Sequence, residues 1–134
     1  MSLETAVSLV LGGGNGIGRA CCEEFGARGG RVVVADLDGA AAAETARLVE
    51  RAGGEAMAIT VDATDVEAVR CAVDTAERGF GSLDAAVHTV YRDSPAPATE
   101  LGPQDWDSTL SVGLTSAFAL ARAALPACPR AAAP

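Results

Sequence analysis

The sequence predicts an α/β domain: a doubly wound parallel sheet in the order 3-2-1-4, truncated after its fourth strand. Three observations carry this. Short apolar runs alternate with stretches of helical periodicity four times in succession, the pattern of repeated βα units. The runs at 6–11 and 31–36 are near-continuously apolar rather than alternating, as strands buried on both faces are. A glycine string closes the first of these runs, so the crevice belongs beyond the carboxyl ends of strands one and four, where the order reverses.

Each element has a local reason. Residues 6–11 end on glycines and form the first strand. A helix follows over 17–28, with Ile17, Cys21 and Phe25 as its buried stripe and Gly29-Gly30 as its stop. The β-branched run 31–36 is the second strand. Asp38 caps a helix reaching residue 52, which Gly53-Gly54 ends. Residues 55–61 are the third strand. Thr64 or Asp65 caps the next helix, whose stripe is Val66, Val69, Val73, Ala76 and Phe80, with Gly79 and Gly81 bracketing its end. The fourth strand covers 83–88, and a loop with Pro95 and Pro97 covers 91–102. Pro103 suits the first position of a long helix. That helix presents Trp106, Leu110, Leu114, Phe118, Ala121 and Leu125 on one face, and Pro126 and Pro129 end it. One domain over 1–125 and an irregular tail over 126–134 are expected.

Composition narrows the function. The 134 residues are 49% apolar and 21% charged, which sets aside collagenous, low-complexity and disordered classes. No uninterrupted apolar run reaches 18 residues, so no membrane span is expected. The start has no basic segment of the signal-peptide kind, and a cytoplasmic protein is expected. A net charge of −8 disfavours nucleic acid and anionic membranes as partners. All ten basic residues are Arg, so Schiff-base chemistry, a phosphate-loop lysine and a Tyr-x-x-x-Lys pair have no amine to use. Cys21, Cys22, Cys71 and Cys128 form no C-x-x-C and have no histidine at metal-site spacing, so no metal is expected and the thiols read as reduced.

The chemistry lies in the glycine string. Residues 11–18 read L-G-G-G-N-G-I-G between a strand and a helix. Gly12 permits the tight turn, Gly16 lets backbone amides approach a pyrophosphate, and Gly18 allows the helix to pack closely. The helix N-terminus then faces the phosphates. Asp36 ends the second strand, where a carboxylate accepts both hydroxyls of an adenosine ribose and repels a 2′-phosphate. Two unit charges about 4 Å apart repel by roughly 1–4 kcal/mol at effective dielectrics of 80 to 20. With no Arg in the glycine string or at residue 37, NAD is the expected cofactor. Asp62 and Ala63 end the third strand. There they read equally as an adenine contact or as a plain helix cap.

These residues resemble the cofactor-binding half of a short-chain dehydrogenase/reductase. The likeness runs over about 6–125 and rests on L-G-G-G-N-G-I-G-R-A, V-V-V-A-D, V-D-A-T-D, L-D-A-A-V and W-D-S-T-L-S-V-G-L-T-S-A-F. It implies hydride transfer between a nicotinamide and a small alcohol or ketone. It places the pyrophosphate on residues 12–18, the ribose on Asp36 and the adenine on Asp62 and Ala63. The candidate cofactor-binding set is Gly12, Gly14, Asn15, Gly16, Ile17, Gly18, Asp36, Leu37, Asp62, Ala63 and His88.

The departures from the family pattern are specific. Leu11 stands where the family has a loop-supporting Thr, residues 88–91 replace N-N-A-G, and Gly113 replaces a relay Asn. The family's catalytic Ser, Tyr and Lys fall beyond residue 134, so no catalytic residue is assigned. His88 is expected to satisfy backbone groups under the crevice and Tyr91 to line it. A proton-transfer pair of the two would have only Arg92 as a local cation. The chain therefore reads as the binding half of an NAD-dependent oxidoreductase, inactive alone. A non-catalytic NAD-binding or interaction module, or a decayed remnant, is the alternative. The apolar helix face and the uncovered fourth strand lead to an expected homo-oligomer.

Overall fold

The computed structural model describes residues 5–128. Four parallel strands, β1 (Val7–Leu11), β2 (Arg31–Asp36), β3 (Glu55–Thr60) and β4 (Ala85–His88), lie in the order β3-β2-β1-β4. This is the predicted topology. Helices α1 (Gly16–Ala27), α2 (Gly39–Arg51) and α3 (Val66–Phe80) make the crossovers. After β4 come α4 (Pro103–Leu110), a π-helical turn (Ser111–Thr115) and α5 (Ser116–Ala127).

The central strands split their side chains between two cores, which is why their sequences do not alternate. Val7, Leu9, Leu11, Val33 and Ala35 pack towards α3 and α5. Val10, Val32 and Val34 pack towards Cys22 of α1 and Ala42, Ala46 and Val49 of α2. Leu11 is in register with both Ala35 and His88, so the carboxyl ends of β1, β2 and β4 finish level and frame the crevice. Asp38 caps α2 by accepting from the Ala40 and Ala41 amides, each at 3.0 Å. Asp65, rather than Thr64, caps α3 through the Glu67 and Ala68 amides at 3.0 and 3.2 Å.

Two helix faces differ from the sequence reading. In α1 the buried residues are Gly18, Cys22 and Gly26, whereas Ile17 is 76% exposed and Cys21 and Phe25 are only half-buried. Glycine explains the rotation. A Cβ at Gly26 would lie 2.8 Å from Val49 Cγ1, so the bare backbone is what lets α1 and α2 touch. Burial pushes the Cys22 thiol up to about 12, which makes it inert packing rather than a reactive group.

The last helix shows the second difference. The residues buried in α5 are Ser116, Ala119, Leu120 and Ala124, while Trp106, Leu114, Phe118 and Leu125 are each more than half exposed. Close packing on the small residues Ala72 and Ala76 of α3 favours the small-residue face of α5. Pro126 does not end this helix. It lies in the last turn, where the Arg122 carbonyl it leaves unbonded is on an exposed residue, and α5 runs to Ala127, past the expected boundary at 125. Pro129 and the tail lie outside the described residues.

The continuous helical stretch Pro103–Ala127 is long and apolar enough to cross a membrane by length and composition. Spaced polar residues such as Ser108, Ser111 and Thr115 interrupt its apolar runs, so a search for an unbroken run passes over it. In this fold its small-residue face is committed to α3 and β4.

Among the described residues, one buried side-chain polar atom is unpaired: Ser8 Oγ in the middle of β1, between Val32 and Ala85. Ser8→Ala is expected to stabilise the fold by about 1 kcal/mol by removing an unsatisfied hydroxyl. The urea midpoint should rise with an unchanged slope. An unchanged or lower midpoint would mean that the hydroxyl has a partner.

Candidate functional site

The glycine loop is fastened from three sides. The Gly12 and Gly13 amides both donate to the Ala35 carbonyl, at 2.8 and 3.1 Å, which docks the loop on β2. From β4, the Thr89 amide donates to Leu11 O at 2.9 Å, and its hydroxyl lies 3.1 Å from both Leu11 O and Gly12 O. From α1, the Arg19 guanidinium donates to Gly14 O through Nη2 at 2.6 Å and Nε at 3.0 Å, and Nε also reaches Thr45 Oγ1 at 3.0 Å. Thr45 is fully buried. The loop support expected of a threonine at position 11 thus comes from Thr89 instead. Neither Thr89 nor the Arg19–Thr45 pair was singled out by sequence reasoning. The only local signal was a hydroxyl residue directly after a strand end.

The glycines act in different ways. Gly12 turns the chain at φ +91°. Gly18 is required by contact: a Cβ there would sit 2.0 Å from Gly12 O and 2.6 Å from Thr89 Oγ1. Its close neighbours are therefore the loop carbonyl and the β4 end, not the sheet face. Gly16 has φ +53° and open space where a Cβ would stand. The Asn15 side chain makes no capping bond. The first amides of α1, at Gly16, Ile17 and Gly18, have no helical acceptor and so remain donors for an anion.

Asp36 is oriented by two amides. Oδ2 accepts from Gly14 N at 2.8 Å and Oδ1 from Asp38 N at 2.9 Å. Each oxygen keeps a further lone pair for a hydroxyl donor. The carboxylate stands where two hollows meet, because Gly12, Asp36 and Val90 line both. Leu37, Asp62, Ala63 and Val112 line the first hollow. Asn15, Ile17, His88 and Tyr91 line the second. Ten of the eleven sequence-predicted candidates thus line one or both hollows, with Leu37 and Ile17 largely exposed at the edge, while Gly14 lines neither and instead donates its amide to Asp36. Val90 and Val112 are additions that only the fold supplies.

Two acidic and basic groups are less free than the sequence implied. Asp62 Oδ1 accepts from the Thr64 hydroxyl at 2.7 Å and the Thr64 amide at 2.9 Å. Those bonds hold its carboxyl below the usual range. The ring of His88 faces a side chain that the sequence reading did not anticipate. Its Nε2 lies 2.6 Å from Ser116 Oγ. It does not pair with Tyr91, whose side chain is 80% exposed at the rim. Partial burial lowers the His88 pKa and so favours the neutral ring.

With its crevice at the reversal point of a 3-2-1-4 parallel sheet, the chain has a Rossmann-like doubly wound fold. The family model described as short chain dehydrogenase matches residues 6–133. The chain belongs to the short-chain dehydrogenase family. It is 33% identical over 121 residues to D-threitol dehydrogenase of Mycolicibacterium smegmatis, covering 90% of this chain and 46% of that protein. It is 33% identical over 120 residues to glucose 1-dehydrogenase 2 of Bacillus subtilis, covering 88% and 46%. The crystal structure of a hydroxysteroid dehydrogenase from Escherichia coli superposes with TM-score 0.86 at 24% identity, covering 93% of this chain and 54% of that one, a likeness of fold. The chain spans about half the length of the relatives it matches.

The depressed His88 pKa sets a pH dependence. Below its ordinary value of 6.5 the unfolded chain binds more protons than the folded one. The ring's contribution to stability is therefore full above that value and is lost as pH falls through the folded one. The stability difference between wild type and His88→Gln is expected to shrink as pH is lowered from about 7 to about 5, measured by urea unfolding at each pH. A difference that grows instead would reverse the sign assigned here.

Proposed function

We propose that this chain binds NAD and forms the cofactor half of an oxidoreductase that moves a hydride between the nicotinamide and a small alcohol or ketone. The observation that carries this is the Asp36 carboxylate, oriented by the Gly14 and Asp38 amides at the junction of the two hollows. The residues fit the cofactor: free amides at Gly16, Ile17 and Gly18 suit a pyrophosphate, and the lone pairs of Asp36 suit ribose hydroxyls. Leu37, Asp62 and Ala63 would flank the adenine, with Asp62 Oδ2 free of the Thr64 bonds. A Cβ at Gly12, Gly14 or Gly18 would collide with Thr89, Asp36 or the Gly12 carbonyl, so the bare backbone is what lets the loop, Asp36 and α1 close into a cradle. Bound there, NAD supplies the hydride acceptor. This chain's residues bind and orient it; with no Lys among the 134 residues, they do not supply the family's acid–base pair.

Self-association is part of the reading. Trp106, Leu114, Phe118 and Leu125 expose apolar surface, and β4 pairs only with β1 among the described strands. Both features favour a second copy as partner. The free thiols suit a reducing cytoplasm, and the net charge of −8 disfavours nucleic acid or an anionic membrane.

Two experiments test this. Protein titrated into NADH should enhance its fluorescence, and NADPH should bind at least about five-fold more weakly because of charge repulsion at Asp36. Asp36→Ala should weaken NADH binding and remove the preference; equal binding of both cofactors by wild type would sink the NAD assignment. Sedimentation at high micromolar concentration should show dimers or larger species, and a monodisperse monomer would argue against self-association.

A further inference from the structure

The π-helical turn lies beside the crevice and changes the bonding of one residue. The Ser116 amide donates to Ser111 O, five residues back. In an α-helix it would have gone to Val112 O. The freed Val112 carbonyl is taken by the Ser116 hydroxyl. Ser116 is buried, and the other side of its oxygen faces His88 Nε2 at 2.6 Å. A hydroxyl has one proton, and a carbonyl only accepts. With that proton on Val112 O, Ser116 Oγ must accept from His88. Nε2 therefore carries the ring proton and Nδ1 the lone pair. Val112 lines the first hollow and His88 the second.

We infer that Ser116 is a positioning residue that joins the two hollows: it fixes the tautomer of His88 in one and holds Val112 as a wall of the other. The inference rests on the reading that the first hollow takes the adenine. It predicts that adenine binding depends on His88 and Ser116, neither of which lines that hollow. The neutral ring of His88, which its partial burial favours, makes the tautomer the relevant variable.

His88 is the only histidine in the chain, so its tautomer can be read without assignment from a long-range ¹H–¹⁵N spectrum of the ¹⁵N-labelled protein. Wild type is expected in the Nε2–H form at pH 8, and Ser116→Ala in a mixture of both forms. AMP is the probe for the adenine hollow. Calorimetric titration should show binding about five-fold weaker in Ser116→Ala, the effect of one lost hydrogen bond, and restored in Ser116→Thr. If Ser116→Ala does not fold, His88→Leu and His88→Gln replace it. Gln, which retains an N–H donor, should bind AMP nearly as wild type does, and Leu should bind more weakly. A wild-type ring in the Nδ1–H form, or AMP affinity unchanged across the variants, would overturn the inference alone. Failure of wild type to bind AMP would instead remove the dinucleotide reading, and this inference with it.

Discussion

The site depends on how closely α1 can approach the end of β1. A Cβ on residue 18 would lie 2.0 Å from the Gly12 carbonyl oxygen, far inside van der Waals contact. Only a bare backbone lets the helix N-terminus sit against the turn that leads into it. That approach has an energetic use. It brings a helix end with unbonded amides to the mouth of the crevice, where partial positive charge favours an anion. It also brings the Gly12 carbonyl within reach of the Thr89 hydroxyl, so β1, β4 and α1 meet at one point.

The rest of the cradle elaborates that contact. Arg19 and the buried Thr45 both reach the Gly14 carbonyl, while the Gly14 amide goes to Asp36. The two polar groups of a single peptide segment are thus satisfied by α1 and α2 on one side and β2 on the other. The same bond that steadies the loop also orients the carboxylate, so loop shape and the direction of Asp36 are one arrangement. Substitution at Asp36 therefore acts on the loop as well as on any ligand.

The opposite wall is less ordinary. The chain departs from the family pattern over residues 88–91, at the end of β4 and just beyond it, and the later helix departs at Gly113. In their place the structure has a hydrogen-bond chain from His88 through Ser116 to Val112, made possible by one underwound, π-helical turn. Beyond that wall, α5 buries small residues on α3, and Phe118 and Leu125 of α5 and Leu114 of the π-helical turn are left in solvent. The crevice is braced by bonds within the chain, whereas the far side leaves apolar surface exposed.

Much of this was legible from residue order. Strand positions, the 3-2-1-4 order, the cap at Asp38, the choice of Thr64 or Asp65 as the α3 cap, the glycine turn and the place of Asp36 all follow from periodicity, capping chemistry, backbone freedom and the handedness of crossovers. The buried stripe of α3 followed at Val69, Val73 and Ala76, although Val66 at its start is exposed; the faces of α1 and α5 did not, because hydrophobic period is a weak guide where helices meet through glycine and alanine, as α1 does at Gly26 and α5 at Ala119. The fastening of the site was also out of reach. Thr89 meets Gly12 across 77 residues, Arg19 meets Thr45 across 26, and His88 meets Ser116 across 28. The sequence by itself determined the sheet and the turn it carries, because those arise from neighbours along the chain. The tertiary structure alone decided which polar groups lock that turn and shape the wall opposite, because such bonds exist only once distant segments have been packed side by side.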